Sequence, residues 1–388
     1  MKKMKKQLDP YSLSDIFRDI ELKLITSMRN NLSRHEKWEE ELGYQWEQWQ
    51  ISKLRAISKF RLDNHKIIAS YTESIQDTIS QVLRQSYGKA YNDSIKLADE
   101  IGLSIAGMDN SSVLGELEIP EENFFQINDD KLLSIIGEMQ TDFKHSEGLI
   151  LRKMDDTYRS ILSKSVIEMG TGATSIQKAI DEASKEFLSK GIDCITYKDG
   201  KRVNIASYAE MYLRTASQKA TFVAQGKARD RMKVYTVLSS QHANSCEHCL
   251  KWQAIVMIDD VYTSIDKSTA RTMSAETGYA LLSEAMDDSF LHPNCRHTLT
   301  TWFPGSSTTP TPFTEAQSER ALKRYNLEQE QRSLENSLRR WKRIKAGAID
   351  IDLIKRASYF VNYYQGKLRD HIKSNPGLRR EYWRERNI

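Results

Sequence analysis

Apolar residues recur at intervals of three or four positions through most of this chain, which is the period of an amphipathic α-helix. The clearest stripe near the start consists of Ile16, Ile20, Leu24, Met28 and Leu32. Long helices need stretches without proline, and only Pro10 and Pro120 precede Pro293. The pattern therefore predicts helices packed on one another over residues 12–105, which make up an N-terminal helical domain of residues 1–106.

The helical period is interrupted after this domain. Residues 107–128 are rich in Ser, Asn and Glu, and we expect a linker there. Residues 129–232 return to the helical period and are predicted to form a central helical domain. Within this domain, Asp199-Gly200 favours the positive φ angles of a tight turn, so the flanking segments 194–197 and 202–205 should form a hairpin.

A different period appears in residues 233–304. Apolar and polar residues alternate at 233–239, 254–258 and 296–303, which is the pattern of short strands. A helix is predicted at 274–286, between the second and third of these strands. Because so few short strands cannot bury a core unaided, this α+β module needs further stabilisation.

After a linker at 305–312 that is rich in Pro, Ser and Thr, residues 313–388 are predicted to form basic C-terminal helices. A stripe of near-heptad spacing, typical of a helix that packs on a partner, consists of Leu327, Leu334, Leu338 and Trp341. The N-terminal helices contain an aromatic cluster of Trp38, Trp46 and Trp49, which is typical of helix core or of a protein interface. Because this is much apolar helix surface for so charged a chain, we predict partner-binding surfaces at both places.

Net charge is distributed unevenly. The whole chain carries +4, but the residues from 313 onward hold 18 Lys and Arg against 10 Asp and Glu, which leaves −4 for the remainder. In the tail, Arg379, Arg380 and Arg384 are candidates for contact with nucleic-acid phosphates, although the interspersed Glu381 and Glu385 equally favour a solvated or protein-bound helix. No stretch approaches the roughly 18 consecutive apolar residues of a membrane-spanning helix.

Cysteine and histidine are concentrated in the α+β module. Cys246 and Cys249 form a Cys-x-x-Cys pair, and a spacer of 42 residues separates this pair from the hexapeptide that runs from His292 to His297 and includes Cys295. Zn²⁺ prefers four such ligands in a tetrahedron, and a site with four protein ligands is structural rather than catalytic. We therefore predict structural Zn²⁺ bound by Cys246, Cys249, Cys295 and His297, with His292 as the alternative fourth ligand.

Two other uses of these cysteines are open. A disulfide between Cys246 and Cys249 is disfavoured because a chain with four cysteines and no recognisable signal peptide looks cytosolic, where thiols stay reduced. A thioredoxin-like redox pair would lie in a βαβ context, which the surrounding pattern does not have. Cys194 is predicted to be a small core residue, and His242 and His248 are predicted to be loop histidines.

Five segments of the chain together resemble a known family. They are Gly170-Thr171-Gly172 with Gln177 and Ala179, the hairpin from Tyr197 to Arg202, the run from Tyr208 to Ala216, Cys246 and Cys249 with Trp252, and the hexapeptide from His292 to His297. This set resembles tailed-phage minor capsid protein 2, and its last motif is similar to that of the head morphogenesis proteins of phages such as Mu. The resemblance covers about residues 10–370. Such proteins often have Glu-Gly after the tryptophan, and Gln253-Ala254 here weakens any role for that dipeptide but spares the ligands.

The resemblance implies a low-copy virion protein that lies inside the phage head or at the portal, and in the host cytoplasm during assembly. It would bind the portal protein, the major capsid protein or both, and assist head assembly, DNA packaging or DNA delivery, with packaged DNA as a further partner. The expected fold is mostly α, an elongated multi-helix protein with a small zinc-stapled α+β module.

Two alternatives come from other functional classes. A zinc-stabilised nucleic-acid-binding protein is favoured by the basic tail and disfavoured by the charge of −4 on the rest of the chain. An enzyme or toxin carried in the head would need a catalytic constellation, and the residues after the metal motif offer none. We therefore predict a structural protein that is not an enzyme.

Overall fold

The computed structural model describes residues 8–42, 46–100, 130–170, 176–197 and 199–385 of the chain. Side chains are described for these residues except those at 34–42, 46–56, 163, 165–170 and 176. The predicted linker at 107–128 lies outside the described residues. None of the described helices is both long enough and apolar enough to cross a membrane.

Long helices account for most of the described residues, as the apolar period predicts. The helices are α1 Ser12–Leu42, α2 Trp46–Glu100, α3 Asp130–Gly170, α4 Ile176–Lys190, α5 Ile205–Met232, α6 Glu247–Leu250, α7 Lys267–Thr277, α8 Leu282–Asp287, α9 Glu315–Gly347, α10 Ile351–Ser374 and α11 Tyr382–Glu385. The strands are β1 Ile195–Thr196, β2 Arg202–Val203, β3 Thr236–Ser239, β4 Val256–Ile258, β5 Ala280–Leu281 and β6 Leu299–Thr301. The mostly-α fold class is confirmed.

The chain divides into two compact units, each assembled from three separate segments. The first unit comprises Met1–Pro10, Thr78–Met139 and Met211–Asn326, and the second comprises Tyr11–Asp77, Gln140–Glu210 and Leu327–Ile388. The predicted domains, by contrast, are consecutive in sequence, and their boundaries stay a prediction.

The first unit contains a four-stranded sheet in the order β5-β4-β3-β6. Strand β3 is central and pairs antiparallel with β4 and with β6, so that Val237 lies opposite both Met257 and Thr301. These three strands match the three that the alternating pattern predicts. Two-residue β5, which pairs parallel to β4, is too short to produce a periodic signal.

The predicted helix at 274–286 is wrong. Helix α7 begins earlier, at Lys267, where the side chain of Asp266 accepts a hydrogen bond from the backbone N–H of Thr269. It ends at Thr277 because Gly278 adopts a left-handed conformation with φ of 74°. The chain then pairs with β4 before α8 begins, so one predicted helix is two helices with a strand between them.

Helix α5 supports the sheet of the first unit through its C-terminal half. Arg229 and Asp259 are both fully buried, and the guanidinium binds one carboxylate oxygen through two nitrogens while Nη1 lies 3.5 Å from Thr301 Oγ1. A Cβ at Gly226 would clash with the backbone carbonyl of Tyr262, so the helix approaches the loop after β4 closely. Helix α5 therefore packs against the α+β module.

The second unit is built from helices around buried aromatic residues. Phe17 of α1 lies 5.2 Å from Phe143 of α3 between ring centres, and Phe60 of α2 stacks on Tyr158 of α3 at 4.4 Å. The predicted hairpin is present as β1 and β2, with Gly200 at φ of 81° in its turn. The Asp199-Gly200 turn signal between two short segments is enough to locate this hairpin in the sequence.

Helices α9 and α10 are antiparallel to each other in the second unit. Trp341 stacks on Phe360 with ring centres 4.2 Å apart, and His371 lies 3.0 Å from the carbonyl oxygen of Leu327. Leu338 is fully buried and Leu334 is half-buried. The structure thus assigns Leu338 to the core rather than to a partner-binding surface, and Trp341 to the packing between the two helices. The side chains of Trp38, Trp46 and Trp49 lie outside those described.

Two exposed aromatic side chains of this unit lie on α10. Tyr359 is 64% exposed and Tyr363 is 43% exposed. The heptad-like stripe of α9 therefore packs against α10 of the same chain. Tyr359 and Tyr363 of α10 remain exposed to solvent.

Candidate metal centre

The first two cysteines are brought together by a single helical turn. Cys246 is the extended residue before α6, and its carbonyl oxygen accepts hydrogen bonds from the backbone N–H groups of Cys249 and Leu250, both at 3.2 Å. Residues three apart on a helical turn share a face, so both sulfurs point to the same side. Cys249 is fully buried and Cys246 is half-buried.

A tight loop between α8 and β6 carries the remaining candidate ligands. Asn294 adopts φ of 67°, a left-handed conformation that Asn tolerates better than most residues. The backbone N–H of Cys295 donates to the carbonyl of His292 at 2.8 Å, which closes the turn of the loop. Arg214 of α5 donates to the side chain of Asn294 at 3.3 Å, so the supporting helix also fixes the loop.

The five candidate side chains form two neighbouring groups that share Cys249. Their donor atoms form two groups, Cys246 with Cys249 and His292, and Cys249 with Cys295 and His297, and within each group all donor atoms lie within 4.8 Å of one another. The Cys249 and Cys295 sulfurs are 3.7 Å apart, close to the spacing of two thiolates on one tetrahedral zinc. The sequence prediction that the two motifs converge is consistent with this cluster.

Each histidine points a nitrogen without a proton at a cysteine. His292 Nδ1 lies 2.9 Å from the carbonyl of Pro293 and therefore carries the proton, which leaves Nε2 bare at 3.1 Å from Cys246 Sγ. His297 Nε2 lies 3.3 Å from Gln253 Oε1, an acceptor, so Nδ1 is bare at 3.2 Å from Cys295 Sγ. A histidine that donates its other N–H to a protein oxygen is the usual form of a metal ligand.

Gln253 is the residue that sequence reasoning missed. Its Oε1 also accepts the backbone N–H of His242 at 2.6 Å, so this oxygen is fixed and cannot be exchanged for the amide nitrogen. Glu, which the resemblance leads us to expect at this position, would offer the same acceptor. The neighbouring Ala254 adopts φ of 56°, a left-handed conformation in which Gly is preferred.

Electrostatics in the cluster favour a thiolate. The hydrogen bond with Cys249 lowers the pKa of Cys295 to about 4, and the same hydrogen bond, together with burial, raises the pKa of Cys249. Burial and the neighbouring His297 lower the pKa of His242, which favours the neutral form of His242 beside the cluster. Cys194, which lies away from the cluster, has its pKa raised by burial to about 12 and is an unreactive thiol.

The donor set fits a structural metal ion. Three sulfurs and an imidazole nitrogen form the Cys₃His combination that zinc takes in structural sites. Cys249, Cys295 and His297 are buried. The side-chain amide of Gln218 in α5 donates a hydrogen bond to the backbone carbonyl of His297 at 2.5 Å. Cys249, Cys295 and His297 thus form a buried three-donor group that could bind an ion, and Cys246 or His292 of the adjoining group could complete the ligand set.

The arginines predicted to contact nucleic acid are largely engaged within the second unit. Arg380 binds both carboxylate oxygens of Glu385, at 2.5 and 2.8 Å. Arg384 lies over the Trp383 ring at 4.9 Å. The backbone carbonyl of Arg379 accepts a hydrogen bond from Gln331, whereas the Arg379 side chain is exposed.

Comparison with known proteins gives one family and one relative of interest. A structural protein of Lactococcus phage LL-H is 23% identical over 233 residues, which covers 59% of this chain and 61% of that protein. This chain thus spans about three-fifths of the relative's length. No solved structure matches significantly. The sequence matches the family described as Phage minor capsid protein 2 over residues 2–373, nearly its full length, and the chain therefore belongs to the phage minor capsid protein 2 family.

Proposed function

We propose that this chain is a structural protein of the phage head that binds the portal protein, the inner face of the capsid shell or both, and that assists head assembly, DNA packaging or DNA delivery. The observation that carries this proposal is the family match over residues 2–373. The named relative, a phage structural protein, supports the same location in the virion. The protein is not expected to be an enzyme.

Zinc has a structural role in this proposal. Cys246, Cys249 and Cys295 would supply three ligands, and His297 or His292 the fourth. With four protein ligands, no position remains for a reacting water or substrate, so the ion would act by stabilising the fold. The three- and four-residue strands around the cluster support this role because so small a sheet buries little surface of its own.

The fourth ligand can be identified by comparing His292→Ala with His297→Ala. Loss of a true ligand should weaken zinc binding by at least about 100-fold, more than loss of a supporting residue. Competition with a chromogenic chelator measures the affinity of both variants. If His292→Ala retains the wild-type affinity and His297→Ala loses it, the predicted set stands, and the reverse result assigns His292.

The partner proposal is tested with the portal and major capsid proteins of the same phage. Each is immobilised, incubated with this protein, and washed at two salt concentrations. Specific retention by either protein supports the proposed role in the head. Retention by neither, together with salt-dependent binding to duplex DNA, would instead favour the nucleic-acid-binding alternative.

A further inference from the structure

A cavity of about 320 Å³ in the second unit is lined by cationic and neutral polar side chains. Five positively charged side chains reach it, against one carboxylate, Glu21. The cations are Arg18, Lys190, Arg339, Arg340 and Arg343. A volume of this size accepts a ligand as large as a nucleotide, and the lining favours a negative charge.

The one carboxylate is already occupied by the protein. Glu21 Oε1 accepts the backbone N–H of Ile192 at 2.8 Å and also the side-chain amide of Asn204. Its Oε2 lies 3.7 Å from Arg343 Nη1. Arg18 is paired with Asp15 and Glu210, at 3.5 and 3.3 Å, whereas burial together with the nearby Arg18 lowers the pKa of Arg339 to about 10.

Two walls of the cavity present hydrogen-bond donors. On α9, Ser333, Asn336, Ser337 and Arg340 are spaced three and four residues apart and form one polar stripe. Facing it is the N-terminus of α5, represented by Ala206 and Ser207. The N–H groups of Ile205 and Ala206 are already bound to Ile192 O and Asn204 Oδ1, both at 3.0 Å, so this terminus contributes the positive end of its dipole and the exposed Ser207 hydroxyl.

Arg343 and Arg340 differ in whether their guanidinium groups are already hydrogen-bonded to the protein. Arg343 donates to the carbonyls of Leu188 and Ser189 at 3.2 and 2.7 Å, and these contacts hold it in the wall. Arg340 is exposed, lies 5.8 Å from the centre of the Trp341 ring, and makes no hydrogen bond within the part of the chain that the structure describes. Arg340 is thus the side chain whose donors remain available to a ligand.

We propose that this cavity is a binding site for a phosphate group, either free phosphate or a phosphate of nucleic acid, with Arg340 as its principal ligand-binding side chain. Guanidinium groups bind phosphate oxygens through paired charged hydrogen bonds, and the serine hydroxyls supply further donors. The site is independent of the proposed zinc and of any portal or capsid contact.

The test uses the full-length protein and inorganic phosphate in calorimetric titration. We expect saturable binding that Arg340→Gln weakens about five- to tenfold, since one charged hydrogen-bonding group is lost. Arg356→Gln removes the same charge from an exposed position on α10 outside the cavity and should change binding less than about twofold. The absence of saturable phosphate binding, or equal weakening by both variants, would overturn the site.

Competition then identifies the source of the phosphate. A short duplex DNA that displaces inorganic phosphate, and that binds less tightly to Arg340→Gln than to Arg356→Gln, would assign the site to the nucleic-acid backbone. Saturable phosphate binding that the duplex leaves unchanged would assign it to a small free anion.

Discussion

Removal of one partner from the buried pair of Arg229 and Asp259 should destabilise the first unit strongly. Both side chains are fully buried, and Asp259 Oδ1 additionally accepts the backbone N–H groups of Val261 and Tyr262, at 3.3 and 2.8 Å. In Asp259→Asn the amide oxygen can keep these two backbone contacts. What is lost is the negative charge, so the guanidinium is left buried without its counter-ion.

The expected cost follows from this burial. An uncompensated charge in the interior typically costs about 3–5 kcal/mol, whereas replacing a whole buried pair is often close to neutral. Arg229→Met combined with Asp259→Asn should therefore be more stable than Asp259→Asn alone. The double variant keeps the oxygen that the loop after β4 needs and removes the charge that has no partner.

Hydrogen–deuterium exchange of peptides from 234–262 measures the local free energy of opening in a chain with two compact units. A cost of 3 kcal/mol accelerates exchange by more than about 100-fold. The reasoning would be refuted if Asp259→Asn exchanged within about tenfold of the wild type, or if the double variant exchanged faster than the single one.

Three further predictions concern the loop, the metal centre and pH. Ala254→Gly should stabilise the first unit by about 0.5–1 kcal/mol in urea unfolding, because it relieves a left-handed alanine; a loss of stability would contradict this. Cys249→Ser should expose residues 234–303 to limited proteolysis while α1 and α2 resist, whereas unchanged resistance throughout would mean that no metal supports the module. Burial raises the pKa of Asp181 to about 6, so the protonated carboxyl favours the folded state, and this contribution is lost as pH rises from about 4 to 6. Asp181→Asn should reduce the difference in unfolding free energy between pH 4.5 and 7 by about 1–3 kcal/mol, and an unchanged difference would exclude this carboxyl as its source.

The sequence predicts the elements that repeat over many residues and the ligands that have a characteristic spacing. Helix positions, three of the sheet strands and the convergence of Cys246, Cys249 and Cys295 belong to this class. Strand β5 does not, because two residues carry no period and its place depends on pairing with β4. Helix α7 ends at Thr277 because Gly278 adopts a left-handed conformation. The sequence does not reveal this conformation, since an isolated glycine is also compatible with a continuing helix.

Other features depend on tertiary contacts that one sequence does not display. The near-heptad stripe of α9 correctly indicates helix packing, but only the structure identifies α10 as the partner through the stacking of Trp341 on Phe360. Gln253 acquires its role because the backbone N–H of His242 and the ring of His297 both approach its side-chain oxygen. The cationic cavity combines residues from three segments, and no single motif marks it.

The central claim, a zinc-stabilised module in a phage minor capsid protein, is tested most directly by elemental analysis of the full-length protein purified without added metal. The account predicts about one Zn²⁺ per chain, retained through gel filtration and lost in Cys249→Ser. Titration with a thiol reagent of the native protein, before and after chelation, should show the cluster thiols protected only while the metal is present. Metal-free protein in which Cys246, Cys249 and Cys295 react freely, with the fold of residues 234–303 intact, would contradict the claim.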